Sequence, residues 1–373
     1  MLMPNARGIP IQQQHGQLDD NVPAYNSRFL AQQLYLSGTN SSYNEVPGQN
    51  HWWDTVMTTP ELVEFYYTQT KSNNTLPREI DEFEFVVGDP GDTGSKGGIT
   101  VLLLEDPGQY GRVHVKGHLI TTSNVLSLDF NPSQFQNRSL SIDGSPVTMA
   151  SALQKRGNTD SIVVSTIDGN WSSGPLIQSD GDAPHRLGRQ LGSMTAILRT
   201  QGPFIIRHLG ENTTTHLALQ VSRNLHQYFQ AGANIISSPS WSITMNGTGN
   251  VITLAIGAAI APSIHSDFPI QADSSGITVR DYNENPHHYD GENASLGAAF
   301  LRPLEDERLE LVLWGSDAEG LSQAARLVPM ITGVGQPDFV VLGESAKWKG
   351  VDGAVALGFF DYRWKVTASS VVG

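Results

Sequence analysis

The stretch IQQQHGQLDDNVPAYNSRFL, residues 11–30, reads as the end of a strand, a turn through His15-Gly16, two aspartates and the start of a helix. Working outward, GIPIQQQHG (8–16) has the pattern of a strand and AYNSRFLAQQLYL (24–36) that of a helix. SSYNEVPG (41–48) gives a second strand and TPELVEFYYTQ (59–69) a second helix, with Thr59 as N-cap and Pro60 in the first turn. Strand, helix, strand and helix at this spacing predict a parallel α/β unit. Two strands alone do not make a covered parallel sheet, so the region reads as the end of something larger. The first strand is unusual in carrying Gln12, Gln13 and Gln14 in a row, which require partners wherever they are buried.

Asp19 falls just beyond the first strand and His51 just beyond the second. Both side chains are then expected at the carboxyl ends of neighbouring parallel strands, where α/β folds place their sites. An aspartate there can hold an imidazole in one tautomer and stabilise its charged form, and the imidazole can accept a proton from a serine. Acid before base is the chain order of hydrolases whose serine comes first. Asp20, adjacent to Asp19, is the alternative acid.

At these residues a resemblance becomes explicit. IPIQQQHGQLDDNVPAYNSRFLAQQL followed by YNEVPGQNHWW resembles the last segment of a prolyl oligopeptidase-family catalytic domain, in the α/β-hydrolase superfamily. The pattern H-G-x-x-D-x-x-V-P, a helix with S-R, and a strand ending in G-x-x-H fall on His15, Gly16, Asp19, Val22, Pro23, Ser27, Arg28, Gly48 and His51. The resemblance covers about the first 65 residues. It implies that Asp19 is the triad acid, that His51 is the base, and that the complete protein hydrolyses a peptide or ester bond. More loosely, RQLGSMTAILRTQGPFIIRHL (189–209), LVLWGSDAEG (311–320) and PDFVVLGESAKWKGVDGAVALGFFDYRW (337–364) resemble the C-terminal part of long microbial members of that hydrolase family.

The nucleophile motif of that family, G-x-S-x-G, is absent from the chain. Ser193, Ser295 and Ser345 do not complete it, lacking the first glycine, the second or both, and all follow the histidine. The expectation is therefore that the motif opens this chain because the chain starts late within a larger serine hydrolase, and that these residues alone do not run the reaction. The alternative is a non-catalytic binding or scaffold protein derived from a hydrolase. Trp52 and Trp53 either wall the mouth of the site or pack the core beneath it.

Beyond a polar bridge at 70–79, residues 80–150 read as strands only: EFEFVV, GITVLLLE, RVHVKGHLIT and NVLSLDF, separated by Gly/Pro turns, predict a small antiparallel sandwich. Residues 151–373 return to an α/β pattern. HLALQVSRNLHQYFQAG places Leu217, Val221, Leu225 and Tyr228 on one helical stripe with Gly232 as its stop. LELVLWG, a helix with Leu321, Ala324, Ala325 and Val328 on its apolar face, and DFVVLGE predict parallel strands joined by a crossover helix. Ser316 and Glu319 have capping-box spacing at that helix. The expected fold class is α/β: the C-terminal fragment of an α/β-hydrolase domain (1–70), a sandwich-like domain (80–150) and a second, Rossmann-like α/β domain (151–373).

The net charge of −14 over 373 residues argues against nucleic acid and against an anionic membrane surface. With no cysteine, disulfides, thiolate catalysis and Cys-based zinc sites are excluded. No apolar run reaches the roughly 18 residues of a membrane span. Sequons begin at Asn40, Asn73, Asn137, Asn170, Asn212, Asn246 and Asn293 and favour the secretory pathway, although no signal peptide stands at the start of the chain. Other motifs carry less. GDPGDTGSKGG (88–98) lacks the order of a phosphate loop and reads as a hairpin loop. WGSDAEG (314–320) reads as a plain strand-to-helix turn. DYNENPHHYD (281–290), with Asp281, His287, His288 and Asp290, reads as a solvated loop and not as a metal site. His216 and His226 are ten positions apart on one helix and do not face together. No cofactor or metal is expected.

Overall fold

The computed structural model describes residues 2–71, 82–156, 159–175, 185–186, 188–208, 212–237, 247–257, 260, 263–291, 294–328 and 337–373. Most of the polar bridge, and the sequons at Asn73, Asn246 and Asn293, lie outside the described residues.

The opening segment folds as β1 (Ile11–Gly16), α1 (Ala24–Leu36), β2 (Ser41–Val46) and α2 (Pro60–Lys71). β1 and β2 pair in parallel, Ile11 opposite Ser41 through Gly16 opposite Val46. These two strands form a sheet of their own. The glutamine row finds its partners at half-buried depth. Gln14 donates to the Val56 carbonyl at 2.6 Å and accepts from Thr59 Oγ1 at 2.6 Å. Gln12 accepts from the Ser42 hydroxyl. The Gln13 amide nitrogen is buried without a partner.

The sandwich is built from β3 (Glu82–Val87), β4 (Ile99–Leu104), β5 (Gly111–Lys116), β6 (Leu119–Ser123), β7 (Val125–Phe130), β8 (Ser139–Ile142), β9 (Ser145–Thr148), β10 (Leu153–Arg156), β11 (Thr159–Ile167) and β12 (Asn170–Ser173), with the one-turn α3 (Pro132–Phe135) between β7 and β8. One sheet has the order β3-β5-β6-β8-β9; the other has β10-β11-β7-β4, with β12 on β11. Alternation decides which residues go inward: in β5 Val113 and Val115 are buried while Arg112, His114 and Lys116 are exposed. Phe85, Leu128, Phe130, Ile142, Ile162 and Trp171 meet in the core between the sheets. The strands of this layer thus run on to Ser173.

The third region contributes β13 (Phe204–His208), α4 (Asn212–Phe229), β14 (Ala233–Ser237), β15 (Val251–Ile256), β16 (Ile270–Asp273), β17 (Gly276–Arg280), β18 (Pro286–Asp290), β19 (Gly297–Pro303), β20 (Leu309–Gly315), α5 (Ala318–Ala325), β21 (Phe339–Leu342), α6 (Ala346–Lys349), β22 (Ala354–Gly358) and β23 (Val371–Val372). Eight of these strands form one sheet in the order β14-β13-β15-β20-β19-β21-β22-β23. The first four are mutually parallel; from β19 onward every pairing is antiparallel. β16, β17 and β18 make a separate antiparallel sheet.

This architecture overturns the α/β expectation. Strand accounts for 38% and helix for 24%, arranged in several sheets, and this is not an α/β-hydrolase arrangement. The physical reason lies in β19 and β20. Both are buried at every residue, a pattern that in sequence suits a central parallel strand. Here they are antiparallel partners, Gly297 opposite Gly315, and gain their cover from α5 and from the turn at Met194–Leu198. β20 and β21 do run the same way, but β19 lies between them, so the expected adjacent crossover pair does not form.

Smaller departures have local causes. Asp317, not Ser316, caps α5, accepting from the Gly320 N–H at 2.7 Å. Ser316 instead bonds the Leu296 N–H and the Ala294 carbonyl. In α4, Leu217, Val221 and Leu225 are buried, but Tyr228 is exposed. The helix stops at Gln230, which takes φ +53°, ahead of Gly232. Residues 286–290 are strand β18 and not loop.

Four adjacent strands of the large sheet carry a buried charged row. Arg207 of β13 donates to Glu310 of β20 at 2.7 Å, and Arg302 of β19 donates to the other carboxylate oxygen at 2.6 Å. The Thr253 hydroxyl of β15 completes the row on Glu310.

Candidate active site

The site lies where β1 and β2 end. Gly16 closes β1 and is buried. A β-carbon there would clash with the Asn50 and Gln49 carbonyls, so the segment before His51 rests directly on bare backbone. The Leu18 N–H donates to the Gln49 carbonyl at 2.8 Å and the Gln17 N–H to that of Val46 at 3.0 Å. Gly48, at φ +74°, turns the chain out of β2. These contacts bring two loops, distant in sequence, side by side.

Asp19 and His51 meet there. The Asp19 Oδ2 lies 2.9 Å from the His51 Nδ1. The other carboxylate oxygen accepts backbone N–H bonds from Asn21 at 3.0 Å and Val22 at 2.8 Å. The Asp19 side chain is 5% accessible and that of His51 30%. Burial opposes ionisation of Asp19, but the hydrogen bonds from Val22, His51 and Asn21 prevail and hold its carboxyl at about 2. An imidazole nitrogen facing a carboxylate carries the hydrogen, so the His51 Nδ1 is the donor and its Nε2 presents a lone pair. Among the described residues, Nε2 has no hydrogen-bond partner. Asp20 is exposed, and it is the carboxylate of Asp19 that reaches the imidazole.

Trp52 stands edge-on to the His51 ring, with centroids 5.3 Å apart and planes at 89°. It is 76% exposed, so it borders the imidazole and does not pack the core; Trp53 is half-buried.

A third side chain, which the sequence reading used only as a motif landmark, belongs to the constellation. The His15 Nε2 lies 3.0 Å from Asp19 Oδ2 and 2.8 Å from the Val22 carbonyl. Its Nδ1 lies 2.7 Å from the Ser27 hydroxyl. The signal in the sequence was the i,i+4 spacing of His15 and Asp19 across a glycine turn. Beside Ser27, Arg28 reaches β2 and forms a two-pronged pair with Glu45, at 2.7 and 2.6 Å.

The serines weighed from the sequence lie elsewhere. Ser193 is buried and bonds Thr195. Ser295 donates to Asp317 at 2.6 Å. Ser345 precedes α6 without a side-chain capping bond. No serine hydroxyl bonds His51 among the described residues.

The other candidates resolve into structural roles. Lys96 of the glycine-rich loop donates to the Pro4, Asn5 and Glu84 carbonyls and fastens the amino-terminal turn to β3. His287 and His288 are neighbours on β18 and so point to opposite sides; one meets Asp281, the other Thr278. Among the described residues no group of three or more His, Cys, Asp or Glu could hold a metal ion.

A protein of Arthroderma benhamiae, described as an uncharacterized secreted protein, is 36% identical over 389 residues. The alignment takes in 100% of this chain, which spans 40% of the length of that relative. No family model matches the chain. No described helix is long and apolar enough to cross a membrane.

Proposed function

We propose that this chain carries the acid and base of a serine hydrolase similar to the prolyl oligopeptidase family. Asp19 orients and stabilises His51, and His51 acts on a serine supplied from outside residues 1–373. The reaction class is hydrolysis of a peptide or ester bond. The observation that carries this reading is the 2.9 Å contact between Asp19 Oδ2 and His51 Nδ1, which leaves a solvent-reachable Nε2 without a partner. In that role Nε2 accepts the serine proton as the hydroxyl oxygen attacks the substrate carbonyl. The imidazolium, held against Asp19, then returns the proton to the leaving group. The contact also supports Asp19 over Asp20 as the acid in this reading, since the Asp19 carboxylate is the one that reaches the imidazole. Export of the protein is part of the same proposal, supported by the sequons and by the secreted relative.

The test is covalent labelling of the longest natural form of the protein with a fluorophosphonate probe. Labelling is expected, with loss in His51→Ala and a fall of about 10³- to 10⁴-fold in rate in Asp19→Asn. A protein that is never labelled is instead a non-catalytic binding or scaffold protein, and one labelled equally in His51→Ala does not use His51 as its base.

A further inference from the structure

Asp19 is held by a loop only six residues long, Gln17–Val22, and that loop is itself tied down from one side chain. We propose that His15 is the positioning residue of the Asp19–His51 pair; the proposal rests on the reading of that pair as acid and base. The argument starts with the hydrogen on His15. Its Nε2 faces two acceptors, the Val22 carbonyl at 2.8 Å and Asp19 Oδ2 at 3.0 Å. Only an N–H is stable between two such oxygens, so Nε2 is protonated. The Ser27 hydroxyl, 2.7 Å from Nδ1, then donates to the remaining lone pair and fixes this tautomer.

Val22 is the shared element. Its carbonyl accepts from His15, while its N–H donates to Asp19 Oδ1 at 2.8 Å. The two groups lie in successive peptide planes joined at the Val22 Cα, so holding the carbonyl restrains that Cα and with it the N–H that meets the carboxylate. The second carboxylate oxygen lies between two imidazole N–H groups, that of His15 and that of His51. His15 thus acts twice on Asp19, through the backbone of Val22 and through the field at Oδ2. Its own ring is anchored at both ends: the chain enters it from β1, and α1 holds it through Ser27. The His15 side chain is 11% accessible and its bond to Ser27 is part-buried, while the bond to the Val22 carbonyl lies at the surface. Without the clamp, Asp19 retains its backbone bonds in a looser loop, and the carboxylate no longer has a fixed oxygen for His51.

The experiment reads the ground state of this chain, without a nucleophile or substrate. Histidine is labelled with ¹⁵N, and exchange of the His51 Nδ1 proton with water is measured by NMR, with Asp19→Asn to assign the signal. The wild-type chain should show a protected proton. In His15→Phe, which keeps a planar ring and removes the N–H, exchange should quicken about tenfold, the weight of one hydrogen bond. His15→Gln, which restores a donor, should recover most of the protection. Ser27→Ala provides a milder variant that loosens the ring without touching the loop. In each variant the β1–β2 amides should keep their protection. If they are lost in His15→Phe, Ser27→Ala decides. Unchanged His51 exchange in a folded variant overturns the positioning role and leaves the pair intact. A wild-type chain with no protected proton on His51 overturns the pair itself, and with it the proposed function.

Discussion

A β-carbon on Gly16 would lie 2.2 Å from the carbonyl oxygen of Asn50. The pair therefore depends on an absent side chain as much as on the two that are present. Asp19 follows Gly16 on one loop, His51 follows Asn50 on the other, and the bare backbone lets the loops touch. Parallel pairing of β1 with β2 brings the strand ends together; Gly16 sets how closely the loops beyond them approach.

Gly16→Ala should separate the loops. The atoms in the way are backbone carbonyls, which cannot rotate aside as a side-chain tip can. The cost should be about 1–3 kcal/mol of stability, the usual range for overpacking a filled site. The His51 Nδ1 proton should also lose its protection. Gly94→Ala is the control, because a β-carbon there meets nothing within 4 Å. Calorimetry on both variants checks this, and equal unfolding temperatures would show that the contact relaxes freely.

Acid should weaken the amino-terminal region at an unusually low pH. The Asp19 carboxyl is moved from 3.8 to about 2, burial opposing and the bonds from Val22, His51 and Asn21 prevailing. Glu45 is moved from 4.5 to about 2, chiefly by Arg28 and then by Tyr43. Both pKa values are lower folded than unfolded, so as pH falls the unfolded chain takes up protons first. The stabilisation is fully present above about pH 4.5 and is lost as pH falls toward 2. Urea unfolding between pH 2 and 6 should show this slope, and Asp19→Asn should flatten it. A slope unchanged in that variant would mean that Asp19 is as easily protonated folded as unfolded.

Glu310 should be among the most sensitive positions of the large sheet. It is fully buried, and its two oxygens answer Arg207 and Arg302 from different strands. Glu310→Ala leaves two buried guanidinium groups without their carboxylate and should cost about 3–5 kcal/mol. Replacing the charged members together with apolar residues of similar size should recover much of that loss, because desolvation of the ions is then avoided. A loss below about 1 kcal/mol in the single variant would show that water or backbone carbonyls take over.

What the sequence disclosed and what it concealed follow from the range of the interactions. The helix over 24–36 and the strands either side of it were legible, because turn residues and periodicity act over a few positions. The meeting of Asp19 and His51 was legible for the same reason: one helix and one short strand separate them. His15 was passed over because its role depends on Ser27 and Val22, which come into reach only when the loop closes. The sheet at the carboxyl end was misread for a deeper reason. β19 and β20 are apolar but for Arg302 and Glu310 and are buried at every residue, and such a run states that both faces are covered without stating the direction of its neighbour. Direction was set by β19 lying between β20 and β21, a long-range fact that no local pattern records. The end of α4 was misread on a smaller scale, since Gln230 takes the left-handed conformation usually given to glycine.

The described sequons make the last prediction. Asn40, Asn137, Asn170 and Asn212 are all exposed. Asn170 follows the tight turn between β11 and β12, where Asp168 and Gly169 both have positive φ. Asn137 lies just past α3, and Asn40 just before β2. Asn212 opens α4, and its sequon ends in Thr214, which is buried beneath the helix. Transfer of a glycan takes place before folding, so burial of that threonine is no obstacle; what matters afterwards is room at the asparagine. All four positions offer it. Passed through a eukaryotic secretory pathway, the chain should carry glycans at these four asparagines. Enzymatic deglycosylation in ¹⁸O water should mark each as aspartate by mass. Asn→Gln at any one should remove one glycan and change stability by no more than about 0.5 kcal/mol, as for other surface positions. A chain that is exported yet carries no glycan would remove the sequons as support for export, while a variant that loses stability sharply would show that its asparagine holds the fold and not a sugar.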